Sequence, residues 1–215
     1  MIVLAFDCSS TMAIALLKNN KIIDQKFIDQ NYSHSEKLIL EIKNLLLKNN
    51  LDLSNIDLFV ANNGPGSYTG IRVALASLKM FKICYQKPCF VLNSFEILLE
   101  KYRHKNMNLN IAIAGNPNEI FFAKCQFIKG EILSEINPII SDFDNIQNQL
   151  KSDDFICGSA NKLFVNHQSK SNENDNFLVY DMAILAIKIY QNKSINLSNE
   201  ILPLYLREPN ITFRK

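Results

Sequence analysis

A chain of 215 residues has room for one large domain or two small ones, and with 47% hydrophobic residues it carries enough apolar surface for a core, which excludes wholesale disorder. Its 23 Lys and Arg against 21 Asp and Glu leave a formal charge of +2, too balanced for an extended nucleic-acid footprint. The abundance of Lys (19), Asn (27) and Ile (27) has a bland source in A/T-rich codons, so no Lys/Asn-rich stretch is read as a nucleic-acid patch.

Residues 2–6 (IVLAF) form a continuous apolar run ending at Asp7, the pattern of a buried strand. Residues 12–17 and 21–28 predict two more strands, joined at Asn19-Asn20, where Asn tolerates the positive φ of a hairpin turn. Ser33-His34-Ser35-Glu36 reads as a capping box opening a helix to about Asn49. That helix is apolar at Leu38, Ile39, Leu40, Ile42, Leu45, Leu46 and Leu47, a stripe wider than one core-facing side needs. Residues 57–61 predict a central strand, 62–69 a loop, 70–85 a second helix and 90–92 a short strand, and Ser94 is expected to cap a third helix through Tyr102. The polar segment 103–110 is taken as the boundary between an N-terminal unit, 1–105, and a smaller C-terminal one, 106–215.

In the second unit strands are expected over 111–114, 120–128 and 131–136, with turns at 116–118 and 129–130. A short helix follows over 143–150, then a strand at 155–157 ending at Gly158 and a loop at 168–176. Asp181 is expected to cap a last helix to about Gln191, and 201–215 to be an extended tail able to return to the first unit. The order βββαβα(βα) followed by a shorter βββαβα predicts an α/β fold of the actin/hexokinase/Hsp70-like (ASKHA) kind, whose two halves usually hold ATP between them.

Only six glycines are present, and three fall in Gly64-Pro65-Gly66-Ser67-Tyr68-Thr69-Gly70, between a predicted strand and a predicted helix. A phosphate loop is tempting there, since amides at a helix N-terminus bind anions. The spacing fits neither GxGxxG nor GxxxxGK[ST], and a rigid strand-to-helix turn capped by Ser67 or Thr69 is the plainer reading. Gly70 is expected to supply positive φ or close helix–strand packing. Arg72, placed in the first helical turn, opposes the macrodipole and hints at a carboxylate or partner contact, with a solvated side chain equally open.

The stretch NGPGSYTGIRV closely resembles the signature of the TsaB (YeaZ) family of the bacterial tRNA threonylcarbamoyladenosine pathway. The opening IVLAFDCSS, the helix entry NYSHSEKLIL and the ending PLYLREP resemble the same family, so the resemblance covers most of the chain. Where that family often has Asp-Ala-Arg this chain has Ala114-Gly115-Asn116, and Glu119-Ile120-Phe121 resembles the Glu-Val-Tyr that follows. The resemblance implies a cytoplasmic, non-catalytic paralogue of a TsaD-like transferase, pairing with it and joined by a TsaE-like ATPase. The TsaD-like subunit holds metal and ATP and modifies N6 of adenosine 37 in tRNAs reading ANN codons. Self-association through the same helical face is also implied, with tRNA met only through the complex.

The residues themselves are short of catalytic groups. The first phosphate hairpin of an actin-like ATPase has Asp-x-Gly character; here Asp7-Cys8-Ser9-Ser10-Thr11 has the Asp but no Gly, and Asp7 reads as a turn residue. Residues 111–117, where the second hairpin belongs, contain no acid, and the adenosine loop has Gly158 followed by Ser159-Ala160. His34, His104 and His167 are isolated; His34 belongs to the helix entry and the others are expected in solvated segments. GxSxG is absent. Five cysteines without CxxC argue against zinc and, with no secretory signal, for reduced thiols in a cytosol; no run approaches a membrane span. No cofactor or metal is therefore expected. The surplus apolar surface of helices 33–49 and 70–85 points to a partner interface, probed by Ile39, Leu46 and Ala76. Two other readings compete: a small ATP-dependent kinase-like enzyme of the same fold, and a peptidase-like or chaperone-like binding module.

Overall fold

The computed structural model describes residues 1–28, 34–104, 107–128, 131–132, 137–165, 167, 178–192 and 200–206. The apolar start forms β1 (Ile2–Asp7), antiparallel to β2 (Met12–Lys18), which pairs with β3 (Lys21–Ile28) across Asn19 and Asn20, both at positive φ. β4 (Leu58–Asn62) runs parallel to β1 and β5 (Cys89–Leu92) parallel to β4, giving the sheet order β3-β2-β1-β4-β5. Antiparallel strands first, then parallel strands reached through helices, is the arrangement expected of an actin-like half.

This sheet is covered on both faces, which is why β1 alternates nothing. Leu4 and Phe6 face one cluster with Leu38, Ile42 and Leu46 of α1 (His34–Lys48) and Leu75, Leu78 and Phe81 of α2 (Tyr68–Tyr85). Val3 and Ala5 face the other, with α3 (Ser94–Tyr102) and α5 (Val179–Asn192). Asp24 pins β3 to α1: it accepts from Lys48 Nζ at 2.8 Å and Asn49 Nδ2 at 2.9 Å, and Lys26 pairs with Glu41 beside it. The proposed capping residue Ser33 lies outside the described residues, as do the side chains of His34, Ser35 and Glu36.

The second sheet is β10-β6-β7-β8, with β6 (Asn108–Ala114), β7 (Ile120–Ile128), β8 (Glu131–Ile132) and β10 (Phe155–Cys157). A strand that the sequence reading omits, β9 (Ile139–Ser141), pairs with β7. One face of this sheet joins the cluster of α3 and α5; the other packs Ala112, Phe122 and Ile156 on Ile146 of α4 (Phe143–Gln149) and on Phe164.

Several boundary expectations change. Ser94 is the first residue of α3 and does not cap it; Asn93 does, its Oδ1 accepting from Glu96 N at 2.9 Å while Glu96 Oε2 accepts from Asn93 N at 2.8 Å. β6 begins at Asn108, inside the polar segment 103–110, three residues before the expected strand. α2 starts at Tyr68, because Ser67 caps it by accepting from Gly70 N, so Arg72 stands in its second turn, where the macrodipole effect has faded. α5 starts at Val179, so Asp181 is in its first turn and meets Lys101 at 3.7 Å instead of capping. Residues 207–215 of the tail lie outside the described set; Ile201 is buried in the α1/α2 cluster, and Leu204 N donates to Asn63 O at 2.9 Å.

Candidate functional site

The carboxyl ends of β1 and β4 meet where ligand-binding α/β folds place their chemistry. Here that point is closed by hydrogen bonds. Asn62, with none of its surface exposed, donates through Nδ2 to Asp7 Oδ2 at 2.9 Å and to Ser94 Oγ at 2.9 Å, and its Oδ1 accepts from Gly64 N at 2.8 Å. Asp7 Oδ1 accepts from Ser9 N at 2.7 Å. Both oxygens of the one acid in the first hairpin are thus engaged inside the fold. The Cys8 thiol beside it is pushed up by burial, and further by the Asp7 charge, so it is no nucleophile at neutral pH.

The glycine cluster is a packing device. Ser67 N donates to Ser9 O at 2.6 Å, laying the loop against the β1–β2 turn. A Cβ on Gly66 would stand 2.2 Å from Ser9 O, and one on Gly70 1.8 Å from Cys8 O. Gly70 is helical, so close approach is its requirement and the positive-φ alternative is set aside. Gly64–Pro65 is a cis peptide, and Ser94 N donates to Gly64 O at 2.8 Å, tying the loop to the start of α3. Thr69 is exposed on the first turn of α2.

Above this loop a cleft separates the two sheets, enclosing about 350 Å³ of space, part of it open solvent. Its polar lining is the hydroxyl residues Ser9, Ser10, Ser94 and Ser159, and its apolar wall includes Leu98 and Leu178; no acid lines it. On the far side, Ala114 N donates to Ser159 Oγ at 2.9 Å and Gly115 N to Glu119 O at 2.9 Å, so the amides of the second hairpin are used internally. Among the described residues no group of three or more His, Cys, Asp or Glu is placed to hold a metal ion. His104 is exposed, whereas His167, expected to be solvated, is buried with Nε2 2.6 Å from Asp154 O.

Among the described residues Arg72 meets no carboxylate, yet it is not simply solvated. Its Cζ lies 3.9 Å from the centre of the Tyr68 ring, and Nε donates to the Tyr205 hydroxyl at 2.9 Å, a contact that pushes the guanidinium pKa up. The Tyr68 and Tyr205 rings stack at 5.3 Å. No residue near Arg72 in sequence announces this contact, because its partner lies 133 positions away.

α1 and α2 pack side by side. Their outer surface carries Ile39, Leu40 and Leu47 from α1 and Ala76, Met80 and Ile83 from α2, with Leu47 59% and Ile83 76% exposed. Leu46, chosen from sequence as an interface probe, is only 2% exposed and belongs to the internal cluster, because i and i+4 spacing from Ile42 points it at the sheet.

Comparison with known proteins adds a family to this geometry. The family model described as TsaD, tRNA N6-adenosine threonylcarbamoyltransferase, matches residues 21–197. The tRNA threonylcarbamoyladenosine biosynthesis protein TsaB of Buchnera aphidicola subsp. Baizongia pistaciae is 27% identical over 96% of this chain and 98% of its own. The protein of that name from Bacillus subtilis is 26% identical over 66% of this chain and 64% of its own. The structure of YeaZ from Pseudomonas aeruginosa superposes with a TM-score of 0.73 at 21% identity, over 95% of this chain and 99% of that one. The chain therefore belongs to the TsaD-related proteins and, within them, to the TsaB (YeaZ) family.

Proposed function

We propose that this protein is a non-catalytic partner subunit in the N6-threonylcarbamoylation of adenosine 37 of tRNAs reading ANN codons. It docks on a TsaD-like transferase, a TsaE-like ATPase joins the assembly, and tRNA is met through the complex in the cytoplasm. The observation that carries this reading is the exposed apolar surface along α1 and α2, a patch of the kind that marks a protein partner. The internal use of Asp7 supports the non-catalytic half of the proposal, since a kinase-like enzyme would aim that acid at hydrated metal. Without the partner, the same face forms a homodimer, because a two-fold contact needs one self-complementary patch.

The test is binding of the TsaD-like protein of the same organism, followed by titration calorimetry, to wild type and to Ile39→Glu and Ala76→Glu variants. Both positions are exposed, so both variants keep the wild-type melting curve. Ile39→Glu places an unpaired charge in the contact, at a cost of about 3–5 kcal/mol of binding, and Ala76→Glu, within i, i+4 reach of Arg72, obstructs the same face by its bulk and by occupying that guanidinium. Leu46→Glu is the contrasting control and unfolds the protein. Folded Ile39→Glu and Ala76→Glu variants that bind like wild type would place the interface elsewhere.

A further inference from the structure

We propose that Arg72, clamped by Tyr68 and Tyr205, is a preformed receptor for a carboxylate at the rim of the α1/α2 face, and that an Asp or Glu side chain of the docked protein seats on it. The inference rests on the docking reading above and adds the chemistry of one contact within it.

The guanidinium has five donors in a planar fork. One, on Nε, is given to the Tyr205 hydroxyl at 2.9 Å. Among the described residues no carboxylate lies within ion-pairing distance of Arg72, and its Nη groups meet no acceptor. The guanidinium rests on the Tyr68 ring, Cζ 3.9 Å from its centre, and is tied to the hydroxyl of Tyr205, whose ring stacks on Tyr68 at 5.3 Å, so a long side chain that would otherwise sweep many rotamers is held at two points. The ordering that a free Arg gives up on binding is therefore already in place, and a planar fork with its Nε edge satisfied presents its Nη groups to a second planar group.

The tail makes the clamp. Ile201 is buried under α1 and α2, Asn63 Nδ2 donates to Leu202 O at 3.0 Å, and Leu204 N donates to Asn63 O at 2.9 Å, which sets Tyr205 over the start of α2. The ending PLYL is thereby part of the surface that faces the partner.

A phosphate would suit the same fork. What favours a protein carboxylate is the surface on which Arg72 lies. Arg72, Ala76, Met80 and Ile83 recur at i, i+4, i+8 and i+11, one exposed stripe of α2. An apolar centre of Met and Ile with Tyr and Arg at one end is the composition of a protein–protein contact, and the balanced charge of the chain supplies no cationic field for a nucleic-acid backbone.

The experiment titrates the TsaD-like protein of the same organism into wild type, Arg72→Gln, Arg72→Lys, Tyr205→Phe and Ala76→Glu, with circular dichroism melts of each. Arg72→Gln is expected to fold normally and to weaken binding about 10- to 100-fold, the scale of a lost bidentate charge-assisted pair at an interface. Arg72→Lys keeps the charge and loses the fork, so it recovers only part of the affinity. Tyr205→Phe weakens binding less, by freeing the fork to reorient. Wild-type affinity falls with rising salt, and that slope flattens in Arg72→Gln. If Arg72→Gln binds like wild type while Ala76→Glu does not bind, the docking face stands and the carboxylate receptor is wrong. If Ala76→Glu also binds like wild type, the docking reading fails and takes this inference with it. A single-stranded RNA oligonucleotide bound by wild type and lost in Arg72→Gln, with partner binding intact, would overturn the proposal in favour of phosphate.

Discussion

Replacing Asn62 with Asp exchanges one amide nitrogen for an oxygen at a position with no exposed surface. Ser94 can rotate its hydroxyl to donate, but Asp7 has no proton to offer. Two carboxylate oxygens are then left at the 2.9 Å now spanned by a hydrogen bond. At an effective dielectric of about 20, two unit charges at that separation repel by about 5–6 kcal/mol, a large part of a stability of about 5–15 kcal/mol. Protonation limits the cost, so the signature is pH dependence. The introduced carboxyl has a folded-state pKa raised above its unfolded value of about 3.9. An acid shifted up destabilises the fold only when it is required to ionise, so the penalty is absent below about pH 4, grows as pH rises and levels off above the folded value. Urea unfolding should therefore show Asn62→Asp close to wild type at acid pH and far below it at pH above about 7. Asn62→Leu, which removes the donor to Asp7 and the acceptor of Gly64 N but adds no second charge, should be destabilised by about 1–3 kcal/mol or more with a weaker growth with pH. The exchange Asp7→Asn with Asn62→Asp restores one carboxylate and should recover much of the loss. An Asn62→Asp deficit equal at both pH values would mean that solvent reaches this corner, and the argument that Asp7 is sealed from ligand chemistry would fall.

Two further outcomes follow from the packing and the charges. Gly70→Ala would normally strengthen a helix by about 1 kcal/mol, yet its Cβ would stand 1.8 Å from Cys8 O, so a thermal melt should show net destabilisation of about 2 kcal/mol or more; a raised melting temperature would refute the close approach. Asp24, held below the usual carboxylate range chiefly by its hydrogen bond with Lys48, should contribute at most about 1 kcal/mol given how exposed that lysine is. Because its folded pKa is depressed, that contribution is present above the unfolded value of about 3.9 and lost as pH falls through the folded one, so Asp24→Asn should lower stability at neutral pH and make no difference in strong acid.

The inner strands β1, β2 and β4 of the first sheet are legible in sequence because burial on both faces turns them into nearly unbroken apolar runs: IVLAF needs no partner to be recognised. β9 is not legible, since three residues with two exposed isoleucines carry no periodicity, and only its pairing with β7 defines it. The start of α2 is obscured by its own glycines. Tyr68-Thr69-Gly70 looks like loop until Ser67 is seen to cap it, and Gly70 is required by Cys8, a residue on another element. Leu46 and Ile39 look alike in a helix that is apolar on many positions; only once the fold shows that Ile42 faces the sheet does the i, i+4 spacing assign Leu46 to it and leave Ile39 at the edge. The Asp7–Asn62–Ser94 network and the Arg72–Tyr205 contact join residues far apart in the chain, so their members are ordinary polar residues until the fold assembles them; the Tyr68–Arg72 half of the clamp is an i, i+4 pair on α2.

One hydrophobic cluster bears on whether the two halves of such a chain can hinge about the cleft. Val3 and Ala5 of β1, Ile111 of β6, Phe121 of β7 and Met182 and Ala186 of α5 all belong to it. α5 follows the second sheet in sequence yet packs on β1, β2, β4 and β5 of the first, and Lys188 and Asp181 on it pair with Glu100 and Lys101 of α3. A nucleotide-driven hinge between residues 1–105 and 106–215 would have to pull this cluster apart. Enzymes that close around a ligand separate along weakly packed interfaces and keep their cores whole. Here the cleft is bounded by elements that share a core, so widening it would expose apolar surface of both halves. A body that does not open presents α1 and α2 at a fixed angle to each other. Under the docking proposed above, free energy gained on that face would go into holding the partner, because no internal rearrangement competes for it.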